Sequence, residues 1–278
     1  VPGSSTRPGF LHTQGSSIVD STGRTVRLTG LSWFGFETSN DAPHGIWLRS
    51  MTSMLDQVRA LRYEVIRVPR CNQMLDAGST PNGIDFGQNP DLRGLSAVEV
   101  LDRLVAGART RGLRIILDRH RSDANAQSER WYNGAYDEAR WIRDWITLAR
   151  RYRDDPTVIG VDLHNEPHGA ATWGDGNMAT DWRLAAERAG NAVLASAPGP
   201  VHSGFAARAS TTMSSAQAPD VVAAGTLAAL GRRGTARPGL LAKLLELSLA
   251  FLPRWCRALR TRRSTRASAT PAPSCATR

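Results

Sequence analysis

Apolar and polar positions along the first 199 residues follow two rhythms. In SMTSMLDQVRALR (50–62) the apolar side chains fall at Met51, Met54, Leu55, Val58 and Leu61, the three-and-four spacing of an amphipathic helix. A second helix is predicted over SAVEVLDRLVAGARTRG (96–112), with Ser96 as N-cap, Glu99 three residues on and Gly112 just past the end. A third runs through YDEARWIRDWITLARRYRDD (136–155) and stops before Pro156, and a fourth through DWRLAAERAGNAVL (181–194) with Thr180 as its cap. Between them lie runs with strand character: RTVRLTGLSWFG (24–35), YEVIRVP (63–69) stopped by Pro69, LRIILD (113–118) and TVIGVDL (157–163). Four consecutive β-α units predict a parallel sheet with helices outside it.

Four such units are half of an eight-fold barrel; an open doubly wound sheet is the alternative. The polar residues favour the barrel. Trp33, Arg67, His120 and Glu166 each fall at or just past the end of successive strands, and in a barrel those ends converge on one face, where active sites sit. No glycine-rich phosphate fingerprint follows the first strand. In VIGVDLHNEPHG the apolar run is broken only by Asp162 and then ends on Asn165, Glu166 and the rigid Pro167. An isolated glutamate here would be an ordinary surface loop residue. With a neutral Asn165 beside it and Arg67 and His120 on neighbouring strand ends, a partly shielded Glu166 becomes a candidate general acid.

After Gly199 both rhythms fail. Residues 200–256 are rich in Ala, Gly, Ser and Arg with no clear strand, although LLAKLLELSLAFLPRW reads as an apolar helix with little polar face; 257–278 read as a basic disordered tail. The charge divides at the same place. The first 199 residues hold 23 arginines against 23 acidic residues, whereas the last 79 hold 12 basic residues against 2 acidic ones and carry the whole net charge of +10. A uniform nucleic-acid footprint is therefore not expected. Aromatic residues interleaved with the charges would favour single-strand binding, but beyond Phe251 the tail offers only Trp255. No run of apolar residues is long enough to span a bilayer. Cys71, Cys256 and Cys275 give neither a disulfide framework nor a zinc pattern, so no metal is expected. The start, VPGSSTRPGF, shows no leader, which fits a secreted protein whose signal peptide has been removed or a protein that never had one.

The blocks GLSWFGFET, HGIW, SMLDQVRALRYEVIRVP, LRIILDRHRSD, DLHNEPHGAATWG and DWRLAAERAGNAVL closely resemble the bacterial endo-β-1,4-glucanases of glycoside hydrolase family 5, over about Gly9 to Pro198. The resemblance implies a (β/α)8 TIM barrel, of which only the first four β-α units are recognisable. It also implies secretion, β-1,4-glucan as substrate and retaining hydrolysis without a cofactor. By motif position it makes Glu166 the acid/base and Asn165 the residue that holds the sugar 2-hydroxyl, and it matches Arg67 and His120 to the family's strand-two arginine and strand-three histidine. Trp33 and Trp47 match aromatics near the cleft mouth, though Trp47 could be core instead. His44, His164 and His168 read as structural or surface groups.

Retaining hydrolysis needs a second carboxylate about 5 Å from the first. The family places a glutamate at the end of strand seven, with a histidine and a tyrosine on strand six and a tryptophan on strand eight, and none of these motifs is present. The only acids after Gly199 are Asp220 and Glu246, the latter within a helix-like run. A frameshift explains the junction: read one frame over, Ala223 to Ala228 permits Gly-Gly-Asn-Leu-Gly, and the family carries Gly-Gly-Asn-Leu near this distance from the fourth helix. Three expectations follow. The chain divides into a barrel part (1–199), an atypical segment (200–256) and the tail. It is a glucanase by descent that lacks its nucleophile, or a non-catalytic carbohydrate-binding remnant of one. With strands one and four as open edges and apolar inner faces in water, it does not persist as a stable monomer.

Overall fold

The computed structural model describes residues 10–14, 17–125 and 127–196, and the backbone of 206–208. Its centre is a five-stranded parallel sheet, β3 (Gly30–Ser32), β4 (Val65–Cys71), β5 (Arg114–Arg121), β6 (Val158–Asp162) and β7 (Ala206–Arg208), preceded by an antiparallel hairpin of β1 (His12–Gln14) and β2 (Ser17–Val19). The strands lie side by side strictly in chain order. A doubly wound sheet would reverse direction at a switch point, whereas an unbroken sequential order is how a barrel winds, so the sheet order decides between the two architectures.

The predicted helices form as α1 (Met51–Ala60), α2 (Ala97–Thr110), α3 (Glu138–Tyr152) and α4 (Trp182–Ser196). Their ends follow from their caps. Ser50 Oγ accepts from Ser53 N–H, and Ser96 and Glu99 close a reciprocal capping box that satisfies two otherwise orphaned donors. Gly112 takes φ +66° just past α2. The cap of α4 is not Thr180 as the sequence predicts but Asp181, whose Oδ1 accepts from Arg183 N–H at 3.0 Å and Leu184 N–H at 3.4 Å. Leu61, counted by spacing on the apolar face of α1, lies past the last turn and is exposed.

Three further expectations change. Pro69 does not stop its strand. Arg67 C=O accepts from Trp33 N–H and Cys71 N–H donates to Phe36 C=O, so by alternation Pro69 also turns its backbone toward that side. There β3 has already ended at Ser32, and no partner is asked for the missing N–H. Ala206–Arg208, where no strand was predicted, pairs with β6 in parallel register, so β6 is not an edge. The lower inner face of the sheet is also not open to water: Val65, Ile159 and the partly buried Ile116 pack with Leu11 and Leu28, and with Ile18 of the hairpin. Ile159 reaches this cluster because the β5–β6 pairing passes from Val158 to Gly160 and leaves it as the extra residue of a bulge. The remainder of 197–278, including the apolar run after Leu240, Asp220, Glu246 and the basic tail, lies outside the described residues.

The main core lies on the sheet's other face. Ile66, Val68, Ile115, Leu117 and Val161 alternate outward and meet Leu55, Leu104, Trp141, Trp145 and Trp182 from the helices, all buried. The period of two in the strands and of 3.6 in the helices builds one continuous apolar layer between them.

Candidate functional site

Alternation along the strands sends a second set of residues to the inner face. Ser32 registers with Arg67, Pro69 with Asp118, and Asp118 with Asp162, so Arg67, Asp118 and Asp162 share that face above the apolar layer. One amino nitrogen of Arg67, Nη2, lies 2.9 Å from Asp162 Oδ2, 2.9 Å from Asn165 Oδ1 and 2.9 Å from Asp118 Oδ2. Both aspartates are buried. Burial works against the Arg67 charge, but Asp118 and Asp162, with a smaller contribution from Glu166, outweigh it and hold the guanidinium above its ordinary pKa. His120, one turn of the pleat beyond Asp118, places Nδ1 2.8 Å from Asp118 Oδ2. Donation from Nδ1 to that carboxylate leaves Nε2 as the ring nitrogen turned away from Asp118.

The same arrangement orients Asn165. Its Oδ1 faces the Arg67 donor, so its amide NH2 is the group left for a ligand, while its backbone N–H donates to Arg119 C=O at 3.0 Å. Glu166 follows with φ +51°, in the left-handed region that costs a non-glycine residue of the order of 1 kcal/mol or more. The strain is held from both sides. Asn165 is anchored to β5, and His168 donates from Nδ1 to Glu166 C=O at 2.6 Å and from its backbone N–H to Glu129 C=O at 3.1 Å. This answers why a proline follows the glutamate: Pro167 supplies a fixed φ between two pinned residues, and the turn lifts the Glu166 side chain out of the sheet into an exposed position. Its carboxylate makes no hydrogen bond among the described residues.

Behind this turn is a buried network that the sequence did not disclose. Arg119 points to the outer side of β5, where its guanidinium donates to Asn72 Oδ1 (2.8 Å), Ser122 Oγ (2.6 Å), Trp131 C=O (3.0 Å) and His164 Nδ1 (2.7 Å). Burial, reinforced by the neighbouring charge of Arg70, pushes its pKa down to about 9. His164, read from the sequence as a structural or surface group, is fully buried. Burial first and the Arg119 charge next hold its pKa well below the usual histidine value, so it is neutral, with its proton on Nε2.

Arg67, His120 and Asn165 are thus brought together through Asp118 and Asp162, with Glu166 the next residue in the chain. The two aspartates were missed, although each carried a signal: a lone carboxylate inside an apolar strand needs a buried cation to sit beside. The two tryptophans separate. Trp33 is 7% exposed, faces the helices and donates from Nε1 to His44 C=O at 2.8 Å. Trp47 is 44% exposed and stands at the surface rather than in the core. Among the described residues no cluster of three or more His, Cys, Asp and Glu side chains is arranged to hold a metal ion.

Comparison with known proteins gives this geometry a context. Residues 19–202 match the family described as Cellulase (glycosyl hydrolase family 5). An endoglucanase of Paenibacillus polymyxa is 55% identical over 190 residues, which make up 68% of this chain and 48% of that relative. The major extracellular endoglucanase of Xanthomonas campestris pv. campestris is 46% identical over 193 residues, 69% of this chain and 40% of the relative. Among solved structures, the catalytic domain of that Xanthomonas enzyme superposes with a TM-score of 0.67 at 41% identity, covering 73% of this chain and 59% of the other. A cellotetraose complex of an endocellulase from Pyrococcus horikoshii gives 0.67 at 36% identity, over 73% and 58%. The chain spans about half the length of the curated relatives it matches. The strand order, the polar cluster at the strand ends and a match across well over half of the sequence lead to one conclusion: the chain belongs to glycosyl hydrolase family 5.

Proposed function

We propose that this chain carries the acid/base part of an endo-β-1,4-glucanase, with Glu166 as the proton donor to the leaving glycosidic oxygen. The observation that supports it most is the turn Asn165–Glu166. One residue is clamped by Arg67 with its amide turned outward, and the next is held in a strained conformation that projects a carboxylate beside a buried positive charge. In this scheme the Asn165 amide donates to the sugar 2-hydroxyl, Arg67 and His120 keep that end of the sheet ordered and charged, and Trp47 offers an apolar ring to a sugar face. The substrate is an uncharged β-1,4-glucan, the protein acts outside the cell, and the catalytic part ends near residue 199.

A retaining mechanism needs a nucleophilic carboxylate about 5 Å from Glu166. Asp118 and Asp162 do not suit the role, since both are buried and engaged by Arg67. The chain as written is therefore expected to protonate a leaving group without forming a glycosyl-enzyme intermediate, and hydrolysis of carboxymethyl cellulose should fall far below that of a complete family 5 enzyme. The full chain and its Glu166→Gln variant would be assayed together by reducing-sugar release. Full activity abolished in the variant would mean that a carboxylate beyond the described residues completes the site. Equal, near-zero rates combined with retained binding of cello-oligosaccharides would favour a carbohydrate-binding protein.

A further inference from the structure

The turn that presents Glu166 is gripped by a residue of a different loop. Glu129 lies in the connection between β5 and α3 and is exposed. Its Oε2 accepts from Ala170 N–H at 3.0 Å, and its backbone C=O accepts from His168 N–H at 3.1 Å. Between these two bonds the carboxylate lies against Gly169 so closely that a Cβ there would stand 2.5 Å from Glu129 Cδ and 2.5 Å from Oε1. Gly169 also takes φ +54°. Glycine is needed on both counts, for the left-handed conformation and for the approach of the carboxylate.

Glu129 is itself anchored through its neighbours. Before it, Ser128 Oγ accepts from Ser122 N–H at 3.0 Å and donates to Ser122 Oγ at 3.1 Å. Two residues after it, Trp131 C=O accepts from Arg119 Nη2, which also donates to Ser122 Oγ. Arg119 further donates to His164 Nδ1, and its C=O accepts from Asn165 N–H. One buried arginine thus fixes the entry to the Asn165–Glu166 turn, and Glu129 extends that hold to the exit.

The turn needs holding there. Glu166 has φ +51° and precedes a proline, a place where a residue with a side chain favours extended backbone. Freed at its exit, it would relax in that direction and carry its carboxylate away from the Arg67 charge that it faces. The ring of Pro167 fixes the φ of the one residue in between, so a restraint on His168 to Ala170 is passed back to Glu166 rather than absorbed.

We propose that Glu129 is a positioning residue for Glu166, a clamp that keeps the acid/base carboxylate in its strained, projecting conformation through Gly169 and Ala170. The proposal rests on the reading of Glu166 as proton donor. It requires an acceptor at Glu129, not a charge.

The test is the three-bond HN–Hα coupling of Glu166, which reports φ directly. It would be measured in the 15N-labelled full chain and in its Glu129→Ala and Glu129→Gln variants, with a thermal melt and a calorimetric titration of cellohexaose for each. Glu129→Ala should move the coupling away from its wild-type value. It should also weaken cellohexaose binding about fivefold, the worth of one hydrogen bond, through the Asn165 amide that shares the turn. Glu129→Gln, which keeps an acceptor for Ala170 N–H, should restore both, and the three melts should coincide. A wild-type coupling in Glu129→Ala would overturn the proposal, whatever the melt does. A coupling displaced equally by both variants would overturn it too, since charge rather than the acceptor would then be responsible. If the wild-type chain binds no cellohexaose, the glucanase reading falls, while the coupling still decides the clamp by itself.

Discussion

The two faces of the parallel sheet differ in what they need from the rest of the molecule. The outer face is closed by this chain's own helices: three tryptophans of α3 and α4, Trp141, Trp145 and Trp182, are fully buried against it, and the indole N–H groups of Trp141 and Trp145 both reach Leu163 C=O at 3.0 and 3.1 Å. The inner face is divided. Its lower layer is apolar and covered by the N-terminal hairpin, and its upper layer is a cluster of one arginine, two aspartates, a histidine and an asparagine that ends in an exposed glutamate. The outer face is bound mainly by packing in one continuous layer, with the Arg119 network and the Arg70–Trp145 contact set into it. The inner face is bound by charge pairing, which joins residues nearly a hundred positions apart. Apolar packing and charge pairing thus dominate opposite sides of the same strands.

Substitutions on the two faces should separate these contributions. The largest effect is expected on the outer side. Trp145→Ala removes a fully buried ring on which the Arg70 guanidinium stacks at 4.1 Å, and it should lower the unfolding free energy by about 4 kcal/mol, measured as a shifted urea midpoint. On the inner side, Arg67→Met leaves Asp118 and Asp162 buried without their shared cation and should cost about 3 kcal/mol near neutral pH. That deficit should shrink as the pH is lowered, because protonation of the carboxylates makes the loss of the cation less costly. A deficit constant with pH would mean that packing of the arginine stem, not charge, is what the inner face loses.

The smallest predicted effect lies at the turn where the faces meet. His164 is held neutral in the folded state, its pKa well below the unfolded value of about 6.5, so the unfolded chain binds a proton that the folded chain refuses. The stability that goes with the neutral ring is present above that unfolded value and is lost as the pH falls below it, at up to about 1.4 kcal/mol per unit for a single proton. Urea melts between neutrality and pH 5 should show this slope, and a His164→Gln variant should flatten it. An unchanged slope in the variant would place the titrating group elsewhere.

Much of this protein was legible from one sequence because the signals were periodic or local. The three-and-four spacing placed all four helices, the capping box at Ser96 and Glu99 fixed the start of α2, and the polar residues that end the apolar runs marked Arg67, His120, Asn165 and Glu166 before any fold was known. These depend on neighbours within one turn or one strand, and a single chain displays them directly. Pairing across the fold was not legible. Asp162 read as a break in an apolar run and Asp118 only as the end of one until the register brought both to Arg67, and His164 read as structural or surface until Arg119 closed on it from another strand. Trp33 and Phe34 are adjacent in sequence and both aromatic, yet one is core and the other is half exposed, a difference their residue types do not disclose. Residue type and spacing determined which elements form and which polar groups end the strands. Only the tertiary structure decided which groups share a hydrogen bond, since that depends on strand register, and register is a property of the assembled sheet rather than of any one segment.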